Sequence, residues 1–126
     1  MKNLLIAVLF FSALPCFAQI EIKIDDAKNH VGEEVKICTK IYGGKYFAKD
    51  SLTLLNAGAA YPESPLTIVI RGNANDQFKN PQEYYKGAEV CVTGKISMYR
   101  DKPQLEVFSQ NQIVEQLKDH VDQEPK

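Results

Sequence analysis

At 126 residues the chain has room for one small domain and little more. Hydrophobic residues make up 44% and charged residues 25%, which excludes a collagen, a coiled coil, a wholly disordered tail and a multi-pass membrane protein. The 15 Lys and Arg against 16 Asp and Glu give a formal net charge of −1, which argues against histone-like binding of nucleic acid by bulk charge but leaves room for a local basic patch.

The chain opens on Met1-Lys2-Asn3, a short positive start, followed by an apolar run over 4–17 broken only by Ser12 and Pro15. That run is shorter than the roughly 20 residues a membrane-spanning helix needs. It has the length of a secretory signal core, and Cys16-Phe17-Ala18 puts small residues at both recognition positions before a cut. Cleavage is expected between Ala18 and Gln19, so that 1–18 is a signal peptide, 19–114 the domain and 115–126 a polar tail. Lipidation of Cys16 is the rival reading; lipoprotein signals want a small residue before that cysteine, and Pro15 stands there. Loss of Lys2 leaves 14 basic against 16 acidic residues. The expected location is periplasmic or secreted, with no later segment able to anchor in a bilayer.

Cys38 and Cys91 remain after the leader. Val35, Ile37 and Ile41 share one parity of an alternating stretch, and Lys36, Cys38, Lys40 and Tyr42 share the other. Val90, Val92, Ile96 and Met98 likewise alternate with Glu89, Cys91, Thr93, Lys95 and Ser97. Both cysteines therefore lie on the polar face of a strand. Two cysteines in an exported chain read as one disulfide. A redox pair lacks the CxxC spacing, and a metal site would have only His30 and His120 to draw on, neither at ligand spacing to the cysteines.

In chain order, 25–30 reads as a short helical turn that Gly32 ends. The first strand is expected over 34–42, with Gly43-Gly44 a bend or turn and 45–51 a polar, aromatic loop. A second strand is expected over 52–56, a loop rich in Gly and Pro over 57–65, and a third strand over 66–71. The segment 76–86 can hold a short helix, with Pro81 tolerated only at an end. The fourth strand is expected over 88–100, with Gly94 a bulge or bend. A tight turn at Asp101-Lys102-Pro103 leads to the fifth strand over 104–114.

Five strands with a helix between the third and fourth make the oligonucleotide/oligosaccharide-binding (OB) barrel, a mainly β fold. In that barrel the first and fourth strands are neighbours, and these carry Cys38 and Cys91. The segment Val31-Gly32-Glu33-Glu34-Val35-Lys36-Ile37-Cys38 resembles the opening of small bacterial OB-fold domains of the nucleic-acid-binding type. Tyr84-Tyr85-Lys86-Gly87-Ala88-Glu89-Val90-Cys91-Val92-Thr93-Gly94-Lys95-Ile96 resembles their fourth-strand signature, and Lys102-Pro103-Gln104-Leu105-Glu106-Val107 with Gln112-Ile113 their fifth strand. The resemblance covers 25–113 and implies the fold more strongly than a ligand. A looser likeness is to the periplasmic bacterial OB-fold family, whose ligands are thought to be small or cationic.

No residue set here suggests catalysis, and no cofactor is expected. Glu33-Glu34 and Asp25-Asp26 are adjacent only in sequence, the serines have no activating partner pattern, and the glycines lack a phosphate-cradling context. Binding is better supported. OB barrels bind across their second and third strands, between the loop after the first strand and the loop joining the fourth and fifth. Those rims offer Tyr42, Lys45, Tyr46, Phe47 and Lys49 on one side, Tyr99, Arg100 and Lys102 on the other, and Arg71 at the end of the third strand; of these, Tyr42, Lys45, Tyr46, Arg71, Tyr99, Arg100 and Lys102 are the expected contacts. Aromatic rings for stacking and cations for a backbone are what single-stranded nucleic acid requires. The bland alternative is that the rings plug the barrel ends; outward Thr67 and Val69 also make a poor stacking platform. The expected ligand is single-stranded nucleic acid or another oligomer, and the alternative is an envelope protein partner held by a stapled scaffold.

Overall fold

The computed structural model describes residues 19–116. The expected signal peptide and residues 117–126 of the expected tail, His120 among them, lie outside the described residues. Seven strands run in chain order: β1 (Ile20–Glu21), β2 (Glu34–Phe47), β3 (Leu52–Ala57), β4 (Leu66–Arg71), β5 (Glu89–Tyr99), β6 (Lys102–Val107) and β7 (Ile113–Glu115). One short α-helix, α1 (Pro81–Tyr84), and tight helical turns at Ile24–His30, Ala48–Asp50, Gly72–Gln77 and Gln110–Gln112 complete them.

The sheet order is β1-β2-β3-β4-β6-β5-β7, and an additional β2–β5 pairing closes the ring β2-β3-β4-β6-β5. Within the ring β4 and β6 are parallel and all other pairs antiparallel. This is the mainly β, five-stranded OB barrel with helical structure between its third and fourth strands, to which β1 and β7 add short edges. Alternation fills it. Val35, Ile37, Ile41, Leu55, Ile68, Ile70, Val90, Val92, Ile96, Leu105 and Val107 are all fully buried. Ala27 from the first helical turn, and Ala74 and Tyr85 from the connection before β5, join the same core.

Four boundaries differ from expectation. Gly43-Gly44 does not reverse the chain: β2 continues to Phe47. Its register with β3 shifts by one residue between Ile41 and Gly44, a β-bulge that bends the strand from β5 towards β3. A Cβ on Gly44 would collide with the Leu54 carbonyl, so the close passage requires glycine. The expected helix over 76–86 shrinks to α1, because Asn80 adopts a left-handed conformation (φ 47°) and Pro81 begins the helix. The Asn75 side chain instead ties the preceding turn down, donating to the Ile70 carbonyl at 3.0 Å and to the Ser51 carbonyl. The tight turn lies at Arg100-Asp101, both with positive φ, so Lys102 and Pro103 belong to β6. Finally, the fifth strand is broken into β6 and β7 by a turn at Gln110–Gln112. The Gln112 amide spans the break: its Oε1 accepts from the Phe108 and Ser109 N–H groups, and its Nε2 donates to the Thr93 and Glu106 carbonyls. No register shift occurs at Gly94; the strand there passes so close to β6 that a Cβ would meet the Glu106 carbonyl at 2.6 Å.

Cys38 and Cys91 are directly opposed in β2 and β5 and form a disulfide on the outer face of the barrel. Their Cα atoms are 3.9 Å apart, closer than the usual range of about 4.4–6.8 Å. Among the described residues no helix is long and apolar enough to cross a membrane.

Candidate functional site

The outer face of β3 and β4, with the neighbouring strips of β2 and β6, is the face on which OB barrels take ligands. Register sets its side chains. Lys45 opposes Leu54, Leu54 opposes Val69 and Val69 opposes Glu106, giving one row across four strands. Asn56, Thr67 and Gln104 form the next row. Phe47, Leu52 and Arg71 form a third, towards the β2–β3 tip. Val69 faces outward as its parity demands, yet it is only 1% exposed, so the centre of this face is flat and aliphatic rather than aromatic.

The rings lie at one side. A cleft of about 440 Å³ is lined by Gly44, Lys45, Phe47, Leu54, Asn56 and Tyr61. Phe47 and Leu54 form its apolar wall, and the Lys45 ammonium lies 5.0 Å from the Phe47 ring centroid. Tyr61 comes from the loop between β3 and β4 and is 77% exposed, so its ring is available to a ligand.

The seven residues expected to bind are not brought into one patch. Lys45 lines the cleft. Arg71 stands one row away, with its Nε 3.8 Å from Glu106 Oε1, so a surface carboxylate offsets part of its charge. Tyr99, Arg100 and Lys102 lie on the β5–β6 hairpin, level with the start of β4 and therefore at the opposite end of the face from Arg71. There Arg100 sits over the Tyr99 ring at 5.3 Å, and Lys102 donates to the Pro62 carbonyl at 3.2 Å. Tyr42 lies on β2 beside the bulge, with Lys40 over its ring at 5.3 Å. Tyr46 opposes Thr53, a fully buried inward position, so it points away from the cleft that its neighbours Lys45 and Phe47 line.

The rings do not plug the barrel: Tyr42, Tyr46, Tyr61 and Tyr99 are all at least 41% exposed. The plugging ring is Tyr85, packed edge-on against Phe78 with centroids 6.1 Å apart. Its phenol is pushed to a higher pKa by burial first, then by the Glu115 carboxylate and by Tyr84. Exposed Tyr84 is also raised, chiefly because it donates a hydrogen bond to Glu115.

The sequence places Phe47 in the rim loop but not among the expected contacts, and gives Tyr61 no role. A signal for Phe47 existed in the Gly43-Gly44 pair, which permits a bulge as readily as a turn. Nothing local marks Tyr61, which reaches the cleft through the path of the eight-residue loop between β3 and β4. Among the described residues no group of three or more His, Cys, Asp or Glu side chains could hold a metal ion.

No family model matches the sequence, and no curated protein matches it. Among solved structures, a chain assigned as an aspartyl-tRNA synthetase from Leishmania major Friedlin is similar, with a TM-score of 0.54 and 10% identity. The match covers 83% of this chain and 22% of that one, so it spans less than a quarter of the longer protein. At that identity the likeness is one of fold.

Proposed function

We propose that this chain is a non-catalytic binding module that takes single-stranded nucleic acid, or another oligomer, across the outer face of β3 and β4. The observation that carries the reading is the cleft between Phe47 and Tyr61 with Lys45 at its edge. An exposed Tyr61 ring and a half-buried Phe47 ring beside a cation suit stacked bases and a charged backbone. Lys45 and Arg71 would meet the backbone at one end of the path, and Arg100 and Lys102 at the other. The three outward β4 positions Thr67, Val69 and Arg71 span about 13 Å, enough for a few nucleotides. Catalysis forms no part of the proposal. Export is part of it: a disulfide is the bond of an oxidising compartment, and the 1–18 segment reads as a secretory leader.

The test is a fluorescence-anisotropy titration of labelled single-stranded oligonucleotides at low salt. Phe47→Ala and Tyr61→Ala should each weaken binding by about 1–3 kcal/mol. Lys45→Ala should lower the salt slope by about one unit without altering sequence preference. No binding by the unmodified protein at low salt would remove nucleic acid as the ligand and leave the envelope-partner reading in its place.

A further inference from the structure

Strand register brings a further ring to the ligand face. β4 and β6 run parallel, with Thr67 against Gln104 and Ile70 against Val107. The next pair in that register sets Phe108 beside Arg71. Burial alternates along this stretch, with Leu105 and Val107 fully buried between half-buried Gln104 and Glu106. Phe108 therefore takes the outward parity of Gln104 and Glu106. Its ring is 60% exposed and stands outside the core cluster. The third row of the face thus reads Phe47, Leu52, Arg71, Phe108: a ring at each end, with an aliphatic side chain and a cation between them.

A single exposed phenylalanine is ordinary on a protein surface, and its surroundings set this one apart. Gln112 Oε1 accepts from the N–H groups of Phe108 and Ser109 at 2.7 and 2.9 Å, so the ring is carried on fixed backbone immediately after β6. A contact held in place before the ligand arrives costs less ordering on binding. The Arg71 guanidinium shares the row, and its carboxylate partner Glu106 lies at 3.8 Å on an exposed surface, so the cation keeps charge for a phosphate. Spacing supplies the third feature. Adjacent strands lie about 4.8 Å apart, so the three steps from β2 through β3 and β4 to β6 separate Phe47 from Phe108 by about 14 Å. Stacked nucleotides advance about 3.4 Å each. A run of four or five bridges the two rings, and a dinucleotide does not.

We propose that Phe108 is a second base-stacking position for single-stranded nucleic acid, with Arg71 holding the phosphate backbone between it and the Phe47–Tyr61 cleft. The inference rests on the oligonucleotide reading above, and it adds an end point, a direction across the strands and a minimum ligand length. One base stacks in the cleft, the chain crosses Leu52 and Arg71, and a later base stacks on Phe108.

The experiment is an anisotropy titration with labelled octathymidylate at low salt, paired with NMR of the isotope-labelled protein. Octathymidylate should shift the backbone amide signals of both Phe47 and Phe108 saturably, whereas a thymidine dinucleotide should shift Phe47 and leave Phe108 in place. Phe108→Ala should weaken octamer binding about tenfold. Phe108→Leu, which keeps apolar bulk without a ring face, should fall with it, and Phe108→Tyr should keep most of the affinity. The side chain is exposed, so all three variants should unfold close to the unmodified protein, which separates lost stacking from lost fold. Octamer affinity unchanged by Phe108→Ala, where Phe47→Ala weakens it, overturns the second position and leaves the cleft reading standing. Equal loss of dinucleotide and octamer affinity in Phe108→Ala also overturns it, because the ring would then act on the cleft. No octamer binding by the unmodified protein removes the oligonucleotide reading and this inference together.

Discussion

Gln112 shows how much one side chain can decide in a barrel this small. Its amide satisfies two N–H groups and two carbonyls where the fifth strand breaks between β6 and β7. Gln112→Ala leaves those groups without their partner and should cost about 2 kcal/mol, read as a lower urea midpoint. Gln112→Glu keeps the acceptor contacts but cannot donate to Thr93 and Glu106, so it should fall at least as far; a midpoint equal to the unmodified protein's would show that water replaces the bridge. Gly94 lies against the same amide, with its would-be Cβ 2.6 Å from Leu105 Cδ2 and 3.2 Å from Gln112 Nε2. Gly94→Ala should therefore also destabilise, by about 1–3 kcal/mol through overpacking, and thermal unfolding measures it.

At the scale of elements, β2 is the strand on which the others depend. It pairs with β5 along its first half and with β3 along its second, and the bulge at Gly43-Gly44 is where it changes partner. The disulfide fixes its first half to β5 and closes a separation of 53 residues. In the chain-entropy account such a loop contributes roughly 4 kcal/mol. The Cys38→Ala/Cys91→Ala double variant should lose about 2–5 kcal/mol in a denaturant titration; a loss near zero would mean that pairing alone holds the strands. The β7 edge and the segment before β5 form a second unit, joined by Glu115 and the Tyr84-Tyr85 pair. Both phenol pKa values are raised above the ordinary value of about 10. The protonated phenols are thus favoured in the folded state. Their contribution is complete below pH 10 or so and is lost as pH rises through the folded values. Phenolate absorbance should show two of the six tyrosines titrating late. Glu115→Gln should bring Tyr84 back towards the others; an unchanged curve would show that Glu115 is not the cause.

For the whole molecule, charge and shape pull apart. With 15 basic and 16 acidic residues, long-range attraction for a polyanion is weak. The cations that could serve one are spread over two ends of a face, and Arg71 is partly neutralised by Glu106. Oligonucleotide affinity should accordingly be modest and fall steeply between about 50 and 200 mM salt. Glu106→Gln should strengthen binding by freeing Arg71, and the same anisotropy titration reads it; weaker binding by that variant would place the ligand elsewhere.

The barrel itself was legible in the residues. Alternation at 35–41 and 90–96 separates the buried set from the polar set, and burial of one face leaves a strand little freedom of register. The same parity placed Cys38 and Cys91 outward on neighbouring strands, so their pairing could be reasoned out before any coordinates. The site was legible only in part. Tyr42, Lys45, Tyr46 and Phe47 are near neighbours in the chain, but a bulge inserts one extra residue and resets which face each takes. Lys45 and Phe47 reach the cleft, while Tyr46 faces the other way. A pair of glycines is compatible with both a turn and a bulge, and only pairing with β3 across Leu54 and Leu55 selects between them. Tyr61 joins Phe47 across a distance in sequence that no local pattern encodes. Alternation is a local property and carried the core; the clefts arise where separate segments meet, and that is a property of the closed barrel alone.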